Sequence, residues 1–275
     1  MWAKIALVVL CGLMIATAAH FDPARQRSLL LTTPHDGPRL RLMTWNIGYA
    51  DRQDDSRAHT NDLKAVAETI LKNDPDAVTL QELTGPEQLK ALLRHLQGKY
   101  YGAIATAGNA DRFEAVLVKG RNARFESLPA GENFVVAASF HLKVKTPEII
   151  LVSAHANAFH ADRRRVFTED VVDWARSRPK GAIVMIGGDF NFELNPKDKS
   201  HLYTDNLKND SEAYSYALKY FRDLGRDAGQ TAANERRIDY VFGPRERVIL
   251  RRAEVLRDAA VGQMDHWPLL IEVVL

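Results

Sequence analysis

From residue 40 to the C-terminus, the chain alternates between two patterns of apolar and polar positions. Short continuous runs rich in Val, Ile, Leu and Phe predict β-strands, whereas apolar residues that recur every three or four positions predict amphipathic helices. The predicted strands are residues 40–47, 76–80, 112–119, 134–142, 149–154, 182–186, 238–242, 248–250 and 269–274. The predicted helices are residues 62–72, 87–96 and 162–178. Because no repeat or linker interrupts this order, we expect one α/β domain of two packed sheets with helices outside.

Two details of the helices follow from the same pattern. Asn61 or Asp62 is expected to cap the first helix, since short polar side chains can accept hydrogen bonds from its free N–H groups. In the third helix, the residues expected to face the core are Val166, Phe167, Val171 and Trp174. The long polar segment between the strands at 182–186 and 238–242 has no predicted element.

Residues 1–19 follow a third pattern, in which Lys4 precedes the apolar residues 5–15 and the small residues 16–19. A positive start, an apolar stretch too short to cross a bilayer easily and small residues after it are typical of a secretory signal peptide. We expect cleavage after Ala18 or Ala19. The mature protein would then be secreted or periplasmic with no stable membrane insertion; a retained N-terminal anchor is the alternative.

Composition sets wider bounds on the protein. The chain has 275 residues, of which 46% are hydrophobic, and its formal net charge of +2 is too small to indicate a nucleic-acid partner by itself. Cys11 is the only cysteine and would leave with the signal, so the mature protein would contain no disulfide. Residues 20–38 contain three prolines and are expected to form a flexible leader before a domain at residues 39–275. We expect a monomer.

Six short segments place an acid, an amide or an imidazole at or just beyond the end of an apolar run. Their polar residues are Asn46, Glu82, His155, Asp189 with Asn191, Asp239, and Asp265 with His266. Carboxylate and amide oxygens are the ligands that Mg²⁺, Mn²⁺ and Ca²⁺ prefer, and two imidazoles can act as general acid and general base. Such a set suits hydrolysis of a phosphate ester if the fold brings the segments together.

Each acid and amide also has an ordinary structural interpretation. Glu82 is the best single metal candidate because it ends an apolar strand, but it could instead cap a helix or form a salt bridge. Asn46 could simply make a turn. Asp189 and Asn191 are two residues apart, which places both side chains on one face, where they could orient water and hold a phosphate oxygen. They could equally form a plain turn.

Each histidine needs a carboxylate to fix its tautomer, and otherwise it could be a structural hydrogen-bonding residue. Asp239 is the candidate partner of His266. Asp111 is the candidate partner of His155, with Glu114 close by as a competing acid.

Other common hydrolase sites are not indicated. The chain has no paired cysteines and no His-Glu-x-x-His motif, which argues against zinc. It also has no glycine-rich nucleotide loop. Ser153 lacks a Gly-x-Ser-x-Gly elbow, which argues against a serine nucleophile.

The ordered set of six segments resembles the endonuclease/exonuclease/phosphatase superfamily over about residues 40–275. The resemblance implies a four-layer α/β sandwich, in which two packed mixed β-sheets are flanked by helices. It also implies divalent-metal-dependent hydrolysis of phosphoesters by in-line attack of water on phosphorus. In this resemblance, Glu82 corresponds to the metal carboxylate, Asn46 assists the metal or the phosphate, and Asp265 is a second metal ligand or a supporting acid.

The resemblance also implies catalytic roles. Asp189 and Asn191 resemble the water-orienting and phosphate-binding pair. His266 with Asp239 resembles the base dyad, and His155 resembles the other histidine that faces the phosphate.

The segment Ala110-Asp111-Arg112-Phe113 with His155-Ala156 looks more like the branch of this superfamily that contains the pancreatic-type deoxyribonucleases and the cytolethal distending toxins. That likeness favours Asp111 as the acid of His155 and implies substrate contacts for Arg112 and Asn157. Two features depart from the usual pattern, since Met264 stands where a serine is common and the segment before Arg112 lacks a glycine-rich approach. These departures concern a supporting contact and the class of substrate.

The expected substrate is therefore a phosphoester, with nucleic acid first. Arg52, Arg57 and His59, together with the three arginines at 163–165, could contact a phosphate backbone, although the triple arginine could equally be a solvated helix face. Aromatic residues within 192–222 could stack on bases or a lipid, or could simply pack in the core. They are Tyr203, Tyr214, Tyr216, Tyr220 and Phe221. A phosphomonoesterase or lipid phosphodiesterase, and a non-catalytic phosphate-binding protein, are the alternatives.

Overall fold

In a computed structural model, the chain is described over residues 37–48, 59–105, 112–120, 122–194, 196, 203–259 and 264–275. The predicted signal peptide, nearly all of the predicted leader, Asp111, Arg52 and Arg57 lie outside these residues, as does the side chain of His59. The domain boundaries drawn from the sequence stay predictions. Within the described part of the chain, no helix is long and apolar enough to cross a membrane.

Two six-stranded mixed β-sheets form the centre of the domain. The first contains β1 (Arg39–Asn46), β2 (Ala77–Leu83), β3 (Tyr100–Ile104), β4 (Phe113–Lys119), β11 (Ile249–Val255) and β12 (Leu269–Val274), in the order β11-β12-β1-β2-β4-β3. The second contains β5 (Arg124–Ala130), β6 (Asn133–Phe140), β7 (Ile149–His155), β8 (Ile183–Asp189), β9 (Phe221–Asp223) and β10 (Asp239–Pro244), in the order β5-β6-β7-β8-β10-β9. The described helices are α1 (His59–Asn73), α2 (Pro86–His95), α3 (Ala161–Arg176) and α4 (Leu207–Tyr220).

Both faces of each sheet are apolar, and this produces four layers. Helices α1 and α2 cover the outer face of the first sheet, and α3 and α4 cover the outer face of the second. The inner faces meet in a third cluster that includes Leu42, Val116, Leu151, Met185 and Ile271. The predicted four-layer α/β sandwich is therefore confirmed.

Strand direction explains why the polar segments meet. Strands β1 and β2 are parallel, as are β7 and β8. The carboxyl ends of the two strands in each pair therefore lie at the same edge of their sheet. Those ends carry Asn46 and Glu82 in the first sheet and His155 and Asp189 in the second.

The two remaining segments reach the same edge because their strands run in the opposite direction. β10 is antiparallel to β8, with Asp239 paired to Asp189. β12 is antiparallel to β1, and its first residue, Leu269, pairs with Thr44, three residues after His266.

Some sequence predictions about single elements are wrong. The strands β3, β5 and β9 and the helix α4 were not predicted. Helix α1 begins at His59, so neither Asn61 nor Asp62 is its cap. Val166 is 47% exposed and does not face the core, unlike Phe167 and Val171.

Candidate active site

The end of β2 is irregular where it presents Glu82. Its register with β4 shifts between Leu80 and Leu83, and Glu82 has a positive φ of 60°. A bulge of this kind re-aims a side chain, and a left-handed backbone at a residue with a Cβ is unfavourable and concentrates at functional sites. Asn191 has the same backbone conformation, with φ 53°. Two predicted site residues are thus held in a strained conformation.

His266 is buried, and both its ring and its backbone are held by neighbouring residues. Its Nδ1 lies 2.9 Å from Oδ2 of Asp239, which places the predicted partner at hydrogen-bond distance. Its carbonyl accepts a hydrogen bond from the indole of Trp45 at 3.2 Å, and its backbone pairs with Ala232. Burial lowers the pKa of His266, but the charges of Asp239 and Asp189 outweigh burial and raise the pKa to about 10. Burial raises the pKa of Asp239.

Asp189 lies between the two histidines. Its Oδ2 is 3.7 Å from Nε2 of His155 and 3.7 Å from Nε2 of His266. The same oxygen accepts a hydrogen bond from Nδ2 of Asn46 at 3.1 Å, and Oδ1 accepts one from the backbone N–H of Asn191 at 3.0 Å. Residues from three separate strands therefore meet at one buried carboxylate.

His155 is surrounded by a second set of acids. Its Nε2 is 3.7 Å from Oε1 of Glu82, and its Nδ1 is 3.7 Å from Oε1 of Glu114. Burial, with the charge of Glu82 adding to it, raises the pKa of Glu114 to about 8. Asp111, the predicted acid of His155, lies outside the described residues, so that pairing stays a prediction. Among the described residues, Glu114 is the acid that faces Nδ1.

The other predicted residues divide into two groups. Arg112, 43% exposed, has a guanidinium nitrogen 3.7 Å from Oε1 of Glu82, and the exposed Asp265 is 3.8 Å from Nε2 of His266. Asn191 donates from Nδ2 to the carbonyl of Ala156 at 3.2 Å. Asn157, predicted to contact substrate, is engaged elsewhere. Its amide nitrogen donates to Glu132 at 3.0 Å, and its oxygen accepts from the backbone N–H groups of the two residues before α3.

The donor set at this edge fits a hard divalent cation. Glu82 offers a partly exposed carboxylate 3.7 Å from Nε2 of His155, and Asp189 lies 3.7 Å from Nε2 of both His155 and His266. Asp189, Asp239 and His266 each present a ligand atom within 4.8 Å of the others. Within the described residues, Oδ1 of Asp239 is buried without a hydrogen-bond partner. Buried carboxylate oxygens are costly unless a proton or a cation compensates them, so Glu82 and the group around Asp189 are the residues that would hold a metal.

A second group of ligand-like residues lies at the start of α3 and has a structural explanation. His160, Asp162 and Asp205 present ligand atoms within 4.8 Å of one another, and all three are exposed. Asp205 accepts a hydrogen bond from the backbone N–H of Ala161 at 2.8 Å and lies 3.2 Å from Nδ1 of His160. The first of these contacts lowers the pKa of Asp205. The carboxylate thereby caps the N-terminus of α3, where the helix dipole favours negative charge.

The three arginines at 163–165 have three different surroundings. Arg163 pairs with Glu132 at 3.0 Å and Arg165 with Glu169 at 3.8 Å, both near the surface. Arg164 is fully buried. From the sequence, these three arginines are expected either to contact a phosphate backbone or to lie on a solvated helix face. Both expectations are wrong for Arg164, because it is buried. Arg163 and Arg165 are each paired with a carboxylate.

Most of the aromatic residues in the segment after Asn191 serve packing. Tyr214 joins an aromatic cluster with Tyr240 and Phe242, and Tyr216 packs edge-on against Tyr220. Tyr203 is the exception, with 37% of its surface exposed.

Glu114 is named from the sequence only as a competing acid for His155 and is not among the predicted site residues, yet it faces that histidine in the structure. It follows Phe113 and precedes Ala115-Val116-Leu117-Val118, so a carboxylate stands inside an otherwise apolar strand. That position is the signal that could have found it, because a buried carboxylate needs a compensating partner.

The sequence and the fold of the chain agree with those of a known family. The model of the Endonuclease/Exonuclease/phosphatase family matches residues 43–262. The chain therefore belongs to that family, whose members are hydrolases that act on phosphoesters. No curated protein matches the sequence at a significant level.

Several solved structures share the fold at low identity. The endonuclease/exonuclease/phosphatase from Bacteroides vulgatus has a TM-score of 0.68 and 16% identity, covering 86% of this chain and 99% of that one. A mannosyl-6-phosphatase from Bacteroides thetaiotaomicron VPI-5482 has a TM-score of 0.66 and 18% identity, covering 86% and 100%. D. rerio TDP2, complexed with a single-stranded DNA product, has a TM-score of 0.62 and 15% identity, covering 86% and 99%.

Proposed function

We propose that this protein is a divalent-metal-dependent phosphodiesterase, with nucleic acid as the first class of substrate to test. The observation that carries the proposal is the position of Asp189, whose Oδ2 lies 3.7 Å from each of two buried imidazoles. Glu82, a carboxylate held by a strained backbone, faces the same imidazole of His155 at 3.7 Å. Metal ligands and proton donors thus surround one small volume.

The chain's own residues have distinct tasks in this proposal. Asp239 holds Nδ1 of His266, which leaves Nε2 as the atom that exchanges a proton with water or substrate. Asp189 orients the attacking water, and His155 donates a hydrogen bond to a phosphate oxygen. A divalent cation held by Glu82, with Asn46 assisting, would neutralise charge on the phosphate and bring the pKa of His266 down towards neutrality.

Charge favours a diester over a monoester. A phosphomonoester carries a charge between −1.5 and −2 at neutral pH, whereas a diester carries one negative charge. In the described part of the chain, Arg112 is the one arginine or lysine with a recorded ion pair to an acid of the cluster. A divalent cation and Arg112 supply positive charge to the substrate, and the surrounding carboxylates already offset part of it. This balance suits the single negative charge of a diester better than the larger charge of a monoester.

The test is a comparison of hydrolysis with Mn²⁺, Mg²⁺ or EDTA on plasmid DNA, RNA, bis-p-nitrophenyl phosphate, p-nitrophenyl phosphate, sugar phosphates and sphingomyelin. We expect metal-dependent cleavage of diesters that is lost in His266→Gln and in Glu82→Gln, with Glu87→Gln on the exposed face of α2 as the control. Diester hydrolysis that persists in both site variants would refute the proposed site. Tight phosphate binding without any turnover would indicate a binding protein instead.

A phosphomonoesterase is the second candidate, because one solved structure with a TM-score of 0.66 is a mannosyl-6-phosphatase. The two candidates differ in the ratio of kcat/KM for the two p-nitrophenyl substrates. A higher value for the monoester, together with phosphate release from sugar phosphates, would favour this second function.

The location of the protein is a further proposal, which rests on the sequence of residues 1–19 alone. We propose export with cleavage after Ala18 or Ala19. Expression of the full chain in a bacterial host, followed by N-terminal sequencing of the exported protein, tests it. An intact N-terminus in the membrane fraction would favour the retained anchor.

A further inference from the structure

A buried ion pair joins α3 to α4 behind the candidate site. Arg164 and Asp210 are both 0% exposed, and the guanidinium contacts both carboxylate oxygens, with Nε to Oδ1 at 2.7 Å and Nη2 to Oδ2 at 3.0 Å. A buried pair contributes little net stability, since removal of two charges from water offsets their attraction. Net stability therefore does not account for the Arg164–Asp210 pair.

Nη2 of Arg164 also donates to Oγ1 of Thr204 at 2.6 Å, and two further bonds of this pair reach the two loops that carry site residues. Nη1 of Arg164 donates to the carbonyl of Asn157 at 2.9 Å, two residues after His155. Oδ2 of Asp210 accepts from the backbone N–H of Glu193 at 3.1 Å, two residues after Asn191. One buried pair thus holds the chain directly downstream of both site segments.

These two loops also contact each other at the site. The N–H of Ala156 donates to the carbonyl of Asp189 at 2.9 Å, and Nδ2 of Asn191 donates to the carbonyl of Ala156 at 3.2 Å. Asn191 keeps its strained φ of 53° between that contact and the bond at Glu193. The spacing of the His155 loop and the Asn191 loop is therefore fixed at both ends of each short segment.

We propose that Arg164, through Asp210, is a positioning residue that sets the distance between His155 and the Asp189–Asn191 segment. This inference rests on the proposed phosphoester hydrolysis at that site. The guanidinium of Arg164 bonds Asp210, Asn157 and Thr204, none of which the proposal assigns to the metal or to proton transfer. Its loss should therefore lower kcat while the concentration of Mn²⁺ that gives half-maximal activity stays unchanged.

The experiment exploits the small net contribution of buried pairs to stability. In the double variant Arg164→Met/Asp210→Leu, apolar groups of similar volume replace the pair, and such replacements are often neutral or stabilising. We expect a Tm close to that of the wild type, a fall in kcat of about 10- to 100-fold on bis-p-nitrophenyl phosphate, and faster amide exchange in residues 156–160 and 190–194. Thr168→Val is the control, because Thr168 bonds only the carbonyl of Arg164 within the same helix, at 2.7 Å.

A second variant guards against misfolding of the first. Arg164→Lys keeps the buried charge opposite Asp210 but cannot reach Asn157 and both carboxylate oxygens together, and it should also lower kcat. Wild-type kcat and unchanged exchange in either folded variant would overturn the inference, and so would a failure of both variants to fold. If the wild type hydrolyses no phosphoester, the proposed function fails, and the exchange measurement alone then decides whether the pair positions the loops.

Discussion

Glu114 offers a quantitative test of the electrostatics of the candidate site. Its ordinary pKa of 4.5 is raised to about 8, chiefly by burial, so the folded protein binds a proton that the unfolded chain has released at neutral pH. A group of this kind contributes stability that is fully present below pH 4.5 and is lost as the pH rises through about 8. The native state therefore becomes less stable with increasing pH on account of Glu114.

The size of the effect follows from the two pKa values. The slope is 1.36 kcal/mol for each pH unit between the two pKa values and is smaller near each of them, so the contribution of Glu114 to the free energy of unfolding falls by about 3.5 kcal/mol between about pH 5 and pH 8. Glu114→Gln keeps the shape of the side chain but cannot ionise. The free energy of unfolding of this variant minus that of the wild type should therefore rise by about 3.5 kcal/mol over the same interval.

Urea unfolding at a series of pH values measures this difference. EDTA should be present, because a cation next to Glu82 would lower the pKa of Glu114. Glu87→Gln, in which the carboxylate is exposed, is the control and should give a flat difference. A flat difference for Glu114→Gln would refute the reasoning, and so would a difference that falls with pH, because that result would mean that the folded protein favours the ionised carboxylate.

Three further predictions concern the site and its surroundings. Asp239→Asn should lower kcat by about 10²- to 10⁴-fold without loss of the fold, because His266 loses the partner that holds Nδ1 and the charge that raises its pKa. Steady-state kinetics and circular dichroism check this prediction, and wild-type turnover would contradict it. Glu82→Gln should raise the Mn²⁺ dissociation constant at least about 10-fold in calorimetry, and an unchanged constant would place the metal elsewhere. Arg163→Ala and Arg165→Ala should leave the salt dependence of DNA binding unchanged, because each arginine already pairs with a carboxylate; a shallower salt slope would show that they contact phosphates.

The convergence of the site could be predicted from the sequence because it depends on strand ends. Asn46, Glu82, His155 and Asp189 each end an apolar run, and the carboxyl ends of parallel strands share an edge of a sheet. The aim of Glu82 could not be predicted in the same way. It depends on a register shift and on a positive φ, which no local residue pattern announces.

At Arg164, the spacing of residues along the helix indicates burial, whereas the charge of the side chain indicates exposure. Arg164 lies three residues before Phe167 and seven before Val171, so it belongs to the buried face of α3 by spacing. Its charge suggested the opposite. The partner that makes burial possible, Asp210, lies 46 positions away on a helix that was not predicted, so the pair could not be recognised from residues near Arg164.

Glu114 and His266 lie in a buried site with an excess of carboxylates, and each pKa is raised for its own reason. Burial, with the charge of Glu82 adding to it, raises the pKa of Glu114, whereas the charges of Asp239 and Asp189 outweigh burial and raise the pKa of His266. Without a cation, protons on these two groups offset part of that excess. A divalent ion bound near Glu82 and Asp189 would supply the same compensation, so the ion and the protons must compete. Metal binding should then release protons between about pH 7 and pH 9, and the apparent affinity for Mn²⁺ should rise with pH over that interval. Calorimetry in two buffers of different ionisation enthalpy counts the released protons, and a count of zero would mean that the cation binds too far from Glu114 and His266 to change their protonation.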